Sequence, residues 1–540
     1  MKKVFLTATP PTPNGDLHLG HLSGPYVGAD VYTRYLKMHN IAAYYLSGAD
    51  DHQSYVPWKS KQLNVTPRYV ANKFGNAILE TLESANVRMD AFIRPETSKY
   101  HIKFVQEFFQ KLYQEGKLIE KETPCSYDET HDRYLHEAYI RGKCPHCGAE
   151  CDGNACEQCG RPNDCVDMIS AVSKFSNHPP TTRIFKRLYF PLSKYEKELR
   201  KFYGSVKMGS HLTALCEKML EDGLPDIPVT HISDWGIPVP VPGYEEQRIY
   251  VWFEMAPGYL AATQELNAMI QASSDVKSLW QEDNTEIIQF FGFDNGYYHA
   301  VLFPALFLAY NPEIRLPTAF VTNEFYRLEG LKFSTSRNHA IWGRDLLQKF
   351  SPDIVRFYLC YSRPETFMTN FVLSDFESFV RSELIERWQS WLQELSHKLV
   401  KLYGGKAPDL GSWHHRHHQF YQQIKQFVDA ADTAYQAENF SPQKITRTLC
   451  ELVRISHSFG REESHLISMA SRQDEIKASI SLELLAAKML AILSQPIMPE
   501  FSINLWKKLG YQISIQWEEN FSFIPTHQAI NELENLFASR

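Results

Sequence analysis
The sequence predicts an α/β fold in which a parallel, helix-covered sheet is interrupted by a cysteine-rich insertion and followed by an α-helical bundle. Three observations predict it. Apolar runs of strand length alternate with amphipathic stretches over residues 1–115 and again after 231. Two Cys-x2-Cys pairs stand within residues 144–159. From about 377 to 502 the apolar residues recur at helical spacing with few glycines.

The first element is the strand Val4-Phe5-Leu6-Thr7-Ala8, which runs into Pro13-Asn14-Gly15-Asp16-Leu17-His18-Leu19-Gly20-His21-Leu22. A helical pattern follows from about Leu22 to Met38. Strand, Pro/Gly loop and helix in that order bring backbone N–H groups and a positive dipole end to an anion. His18 and His21 flank Gly20 at the helix start. Each imidazole can donate a hydrogen bond to a phosphate oxygen, and the glycine lets a ligand approach closely.

A second strand, Ala42-Ala43-Tyr44-Tyr45-Leu46, ends at Gly48-Ala49-Asp50-Asp51. Helices are expected at roughly 67–85 and 98–115. In a parallel sheet, ligands sit at the carboxyl ends of the strands. One carboxylate of Asp50 and Asp51 can there hold a substrate ammonium group, although a solvated turn acid has the same appearance.

The texture changes at about residue 116. Cys144-Pro-His-Cys147 and Cys156-Glu-Gln-Cys159 are separated by eight residues, and Gly148 and Gly160 follow the pairs. Four thiolates at this spacing suit tetrahedral zinc, and a site made of four sulfurs is structural because no position stays open. Cys151 and Cys165 lie close enough to replace a ligand; the paired four are preferred. Residues 166–230 are less readable.

Recognisable signals return with Ile249-Tyr250-Val251-Trp252-Phe253-Glu254 and with the strand Ile287-Ile288-Gln289-Phe290-Phe291-Gly292-Phe293-Asp294, which is followed by a helix carrying His299. After the apolar segment Ala319-Phe320-Val321-Thr322 and a turn at Glu329-Gly330 comes Lys332-Phe333-Ser334-Thr335-Ser336. A lysine and hydroxyls on a loop suit an anionic ligand. In the bundle, Leu384, Trp388, Trp391 and Leu392 have core spacing. The run His414-His415-Arg416-His417-His418 reads as a helix start rather than a metal site.

With 540 residues, two to four domains are expected. Hydrophobic content of 44% and charged content of 22% are ordinary for a globular chain. A net charge of −7 gives no overall basic footprint for nucleic acid, so any RNA contact would use a local patch. Lys2-Lys3 precedes only a strand-length apolar run, and no apolar stretch approaches the roughly 18 residues that span a membrane. A cytoplasmic location is therefore expected, with no membrane partner. The ten cysteines then read as thiols or metal ligands rather than disulfides.

His18-Leu19-Gly20-His21 resembles the HIGH motif of class I aminoacyl-tRNA synthetases, and Lys332-Phe333-Ser334-Thr335-Ser336 resembles their KMSKS loop. The segments Trp235-Gly236-Ile237-Pro238-Val239-Pro240 and Tyr250-Val251-Trp252 are similar to the methionyl-tRNA synthetases of that class, in the bacterial single-zinc type. The resemblance covers essentially the whole chain. It implies a Rossmann-type catalytic domain at 1–115 and 231–327, a connective zinc insertion at 116–230, a stem-contact region at 328–376 and an anticodon-binding-like bundle at 377–540. It also implies two chemical steps. An amino acid is activated by ATP with Mg2+ to an aminoacyl-adenylate, and the acyl group is then transferred to tRNA.

By resemblance, His18, His21 and Lys332 are catalytic, and Asn14, Gly20, Ser334 and Ser336 contact ATP. Asp51 holds the amino group, and Thr12, Trp252, Tyr259, Asp294 and His299 line or flank the amino-acid pocket. One structural Zn2+ sits on Cys144, Cys147, Cys156 and Cys159.

Several residues depart from the family pattern. Thr12 stands where an aromatic residue is usual, Thr335 replaces the second lysine of the loop, and His231 takes the usual arginine position. Ser390, Glu394 and His465 occupy places comparable to those that read the anticodon. These departures fit an alternative: a paralogue that activates another amino acid for a small non-tRNA acceptor, as in hydrazine-forming biosynthesis with a cupin partner acting in trans. A catalytically silent RNA-binding protein is the third reading. Intact His18, His21, Lys332 and Asp51 argue against it.

Overall fold
The structure, a computed structural model, describes residues 2–269, 279–332, 341–517 and 521–537. It divides into two compact units. The first comprises residues 1–17, 43–81 and 88–324, and the second residues 18–42, 82–87 and 325–540.

The first unit is built on a five-stranded sheet: β1 (Lys3–Ala8), β2 (Ala42–Gly48), β3 (Ala91–Ile93), β4 (Thr285–Gly292) and β5 (Ala319–Asn323), in the order β5-β4-β1-β2-β3. The pairs β1–β4, β4–β5 and β2–β3 are parallel. Phe5, Leu6, Ile287, Phe290 and Phe291 are essentially inaccessible, as expected for strands covered on both faces. The order reverses between β1 and β4, so the loops leaving those two strands border the crevice where such sheets take ligands.

The cysteine-rich insertion folds into two small antiparallel sheets. One pairs Ile119–Asp128 with Thr181–Pro191 and adds Asp226–Pro228 and Arg133–Tyr134; the other joins Glu137–Lys143, Glu150–Gly153 and Ile169–Ser173. The long ribbon of the first sheet gives form to the stretch whose sequence was least readable.

The second unit is mostly helical. Leu384, Trp388, Trp391 and Leu392 are fully buried, as their spacing predicts. The helices run on to Pro499–Lys508, and the chain from Leu509 onward has no helix among the described residues. The helix expected from Leu22 differs. It begins at Leu19, widens into a π turn over Leu22–Tyr26, and is regular only over Val27–Met38. Gly24 departs from helical dihedrals (ψ −112°), and Pro25 has no N–H to continue the ladder.

Asp30 on that helix and Arg356 on the helix Pro352–Tyr361 are both inaccessible and lie 2.6 Å apart. The Arg356 guanidinium also donates to the carbonyls of Ala85, Asn86, Pro496 and Ile497. Arg356→Met leaves the Ala85, Pro496 and Ile497 carbonyls without this donor, and leaves Asp30 and the Asn86 carbonyl with Arg34 alone. We expect a loss of about 3–5 kcal/mol in urea unfolding. Among the described residues no helix is long and apolar enough to cross a membrane.

Candidate active site
In the first unit, hydrogen bonds tie together the chain at the carboxyl ends of β1, β2 and β4. Thr9 N–H donates to the carbonyl of Phe290, and Asp50 N–H donates to that of Pro11, which ties the loop after β1 to both neighbours. His299 is buried against Phe291 and Phe303. Its Nδ1–H donates to the Asn295 carbonyl, so Nε2 accepts from the Tyr259 hydroxyl at 2.9 Å, with Thr9 Oγ1 at 3.3 Å. Burial lowers the His299 pKa to about 3, and the ring acts as a neutral acceptor. Trp252 lies flat on Tyr298, with ring centres 3.6 Å apart. Asp294 follows β4 in a short turn, where its Oδ1 accepts from Asn295. Thr12 and Asn14 lie on the loop after β1, half-buried, with Asn14 N–H bonded to the Thr12 carbonyl.

The two adjacent aspartates have different fates. Asp51 is inaccessible, and its carboxylate is engaged by Arg94 Nε at 3.1 and 3.2 Å and by Glu96 N–H. Asp50 is also buried, but its carboxylate has only Gln53 Nε2, at 3.4 Å, among the described residues. It borders a cavity of about 50 Å³ shared with Pro10, His101, Glu254, Met255 and Tyr259. Burial raises the Asp50 pKa well above the ordinary carboxylate range, and the charges of Glu254 and Glu137 raise it further. Asp51 thus already has a cation in Arg94, whereas Asp50 has no hydrogen-bonded cation among the described residues.

Its neighbours were not foreseen. His52 Nδ1 lies 2.7 Å from Glu254 Oε1 and its Nε2 lies 2.8 Å from Glu96 Oε1, while His101 Nε2 lies 2.8 Å from the same Glu254 oxygen. Nothing in the residue spacing joins positions 52, 96, 101 and 254; only the fold does. His231, in the usual arginine position, lies against His136 with ring centres 4.2 Å apart and tilted, and has its pKa lowered to about 3 by burial. It cannot supply a positive charge at neutral pH.

In the second unit, the His18 and His21 rings stack with centres 3.7 Å apart. His18 N–H donates to His21 Nδ1, at 3.3 Å, so the His21 hydrogen is on Nε2. Burial lowers the His21 pKa to about 4. The ring is therefore a neutral donor, aimed by the cap. Gly20 lies between the two histidines on this short first helix.

His414 and His417 repeat the geometry: His414 N–H donates to His417 Nδ1 at 3.2 Å, with rings 3.8 Å apart. There, however, His417 is inaccessible and its Nε2 is spent on Ser479 Oγ at 2.8 Å. The His-x-x-His spacing is thus a helix cap in both places. Only the first follows the strand and loop of the ligand-binding crevice. At the other signature, Lys332 ends a short strand paired with Tyr326–Leu328. Its side chain, and all of Ser334, Thr335 and Ser336, lie outside the described residues.

The four paired cysteines meet in the insertion. Their sulfurs all lie within 4.8 Å of one another, with Cys144–Cys159 at 3.8 Å and Cys147–Cys156 at 3.6 Å. Gly148 and Gly160 have φ of 76° and 73°, and their N–H groups bond back to the Cys144 and Cys156 carbonyls. These are the tight turns that aim each thiol pair inward. Cys151 and Cys165 stay outside the cluster. Cys151 Sγ accepts from Asn163, and Cys165 Sγ contacts the Gly153 carbonyl. The cluster has the composition and spacing to hold one zinc ion.

In the second unit, Glu394 is paired with Arg461 and His457.

The family profile described as "tRNA synthetases class I (M)" matches residues 4–395. The methionine–tRNA ligase of Christiangramia forsetii is 30% identical over 516 residues, covering 94% of this chain and 74% of that protein. That of Pyrobaculum aerophilum is 31% identical, covering 96% of this chain and 91% of its own length. Among solved structures, the Mycobacterium tuberculosis methionyl-tRNA synthetase in complex with methionyl-adenylate superposes with a TM-score of 0.80 at 18% identity, covering 99% of this chain and 100% of that one. With these matches and this fold, the chain belongs to the class I aminoacyl-tRNA synthetases of the (M) group, ligases that form an aminoacyl-adenylate.

Proposed function
We propose that the protein activates methionine with ATP and transfers the methionyl group to tRNA. The observation that carries this reading is the buried, underpaired carboxylate of Asp50 at the end of β2, in a unit that also presents Trp252, Tyr259 and His299. An amino acid's ammonium supplies the missing cation, and the aromatic side chains supply apolar contact for a thioether.

In the first step, a carboxylate oxygen of the amino acid bonds to the α-phosphorus of ATP as the α–β bridging bond breaks and pyrophosphate leaves. His21 donates from Nε2 to phosphate oxygen, beside His18 and Gly20. Asn14 lies on the preceding loop, and Lys332, Ser334 and Ser336 belong to the second signature, which takes charge of the leaving group. Mg2+ accompanies ATP. In the second step, a hydroxyl of the tRNA terminal adenosine bonds to the acyl carbon and AMP leaves. On this reading, 1–115 with 231–327 serves activation, 116–230 is the insertion, 328–376 the stem contact and 377–540 the part toward the tRNA.

ATP–pyrophosphate exchange measured with each of the twenty amino acids, without tRNA, tests the first step. Methionine-dependent exchange followed by charging of tRNA is the expected result. Exchange with a different amino acid would overturn the methionine assignment. Thr12, where an aromatic wall is usual, would then be the first residue to examine. Methionine exchange without charging would overturn the tRNA assignment.

We further propose one structural Zn2+ on Cys144, Cys147, Cys156 and Cys159. Metal analysis should give about one zinc per chain. Chelation should raise hydrogen exchange over 137–173 before it affects the central sheet. Uniform exchange after metal removal would reject a structural role.

A further inference from the structure
Asp50 and Glu254 border the same small cavity, and Glu254 is 3% exposed. Two buried carboxylates this close cannot both stay charged without a cation, because each raises the other's proton affinity. The cation nearest to hand is His52. Each of its ring nitrogens faces a carboxylate oxygen, Glu254 at 2.7 Å and Glu96 at 2.8 Å. Both nitrogens must donate to satisfy these contacts, and only the imidazolium carries two N–H groups.

We propose that His52 is a positioning residue for substrate binding: its imidazolium neutralises Glu254 and so keeps Asp50 ionised for the substrate ammonium. This rests on the reading of Asp50 as the ammonium acceptor.

The surroundings agree. Burial alone would lower the His52 pKa, but Glu254 and Glu96 reverse this and take it up to about 10. Glu254 is held down to about 2, against the effect of burial, by His52 and His101. Its Oε1 takes both imidazole contacts, whereas Oε2 is buried with no hydrogen-bond partner among the described residues. The other charged or titratable groups around this cluster are the Asp51–Arg94 pair, Glu137, His101 on its helix start, Arg68, which pairs with the second oxygen of Glu96, Tyr259, which borders the same cavity as Asp50, and His136 and His231, which lie beside His52 and have their pKa values lowered by burial. Trp235 covers the His52 ring from the side. His101 reaches Glu254 across Gly258, where an added Cβ would fall 2.8 Å from the His101 ring. A charged His52 offsets Glu254 and works against the rise that burial, Glu254 and Glu137 impose on the Asp50 pKa.

The direction of the effect follows. Protonated Asp50 cannot bind an ammonium, so KM for the amino acid rises as pH falls through the Asp50 pKa. Removing the His52 charge raises that pKa, which moves the rise to higher pH.

The test is KM and kcat in ATP–pyrophosphate exchange between pH 6 and 9, for the wild type and for His52→Gln, Glu254→Gln, the double variant and Asp50→Asn. His52→Gln should move the rise in KM upward by about one pH unit or more, about tenfold in KM at pH values below the new midpoint. The kcat at saturating amino acid should change far less. The double variant should return the profile toward that of the wild type, because the competing carboxylate is gone. A His52→Gln profile superimposable on the wild type, or a double variant no different from the single one, overturns the proposal. Should His52→Gln fail to fold, Glu254→Gln carries the test. It should move the profile to lower pH, and an unchanged or upward profile is the contrary result. Asp50→Asn separates the two levels. A normal KM in that variant removes the acceptor reading itself, whereas a large pH-independent rise in KM with an unshifted His52→Gln profile removes only the role of His52.

Discussion

His21→Ala is expected to slow amino-acid activation by about 10²–10³-fold, with little change in KM for the amino acid. The loss corresponds to removing one donor aimed at charge that grows in the transition state, worth about 3–4 kcal/mol. The structure also specifies how the donor works. His21 Nδ1 is occupied by His18 N–H and burial holds the ring pKa at about 4, so a neutral Nε2–H makes the contact. The His21 contribution to the rate should therefore be flat from pH 6 to 8 and fall only in acid. His21→Asn, which keeps a side-chain N–H, should recover part of the loss. Single-turnover formation of the adenylate across pH is the measurement. A rate that tracks a group titrating near pH 6.5 would show that the imidazolium is the active form.

The second large effect separates two neighbours in the sequence. Asp50→Asn should raise KM for the amino acid by about 10²-fold or more, because a buried charge pair with the substrate is lost. Its effect on thermal unfolding should be small or even stabilising, since Asp50 is a buried carboxylate without a protein cation. Asp51→Asn should do the reverse. It strips Arg94 of its carboxylate in a buried setting and should cost about 3–5 kcal/mol of stability, while the KM of the surviving folded enzyme stays within a few-fold of wild type. Calorimetry with exchange kinetics on both variants decides. A KM defect confined to Asp51→Asn would return the ammonium role to that residue.

These two residues illustrate where reading the chain stops. The strand–loop–helix opening, the paired cysteines and the amphipathic bundle carry their periods and spacings in the sequence, and the structure builds each of them. The HIGH-like histidines were legible for the same reason: helix start, glycine and imidazoles are contiguous. Asp50 and Asp51 are contiguous too, but their difference comes from Arg94 and Glu96, more than forty residues on. Likewise, the cap at His414 has the spacing of the one at His18, and its burial against Ser479 marks it as structural.

By itself, then, the sequence determined the class of fold, the four-sulfur cluster and the order of the signature segments. All three depend on local periodicity or short spacing, which a linear chain displays directly. Only the tertiary structure decided which aspartate is paired with Arg94, that His21 Nδ1 is taken by the His18 N–H, and that His52 lies between Glu254 and Glu96. The physical reason is that charge and proton position inside a protein depend on burial and on partners brought together across long separations. Helix Val251–Met269 supplies Glu254 to a loop two hundred residues earlier, and no pattern along the chain encodes that meeting.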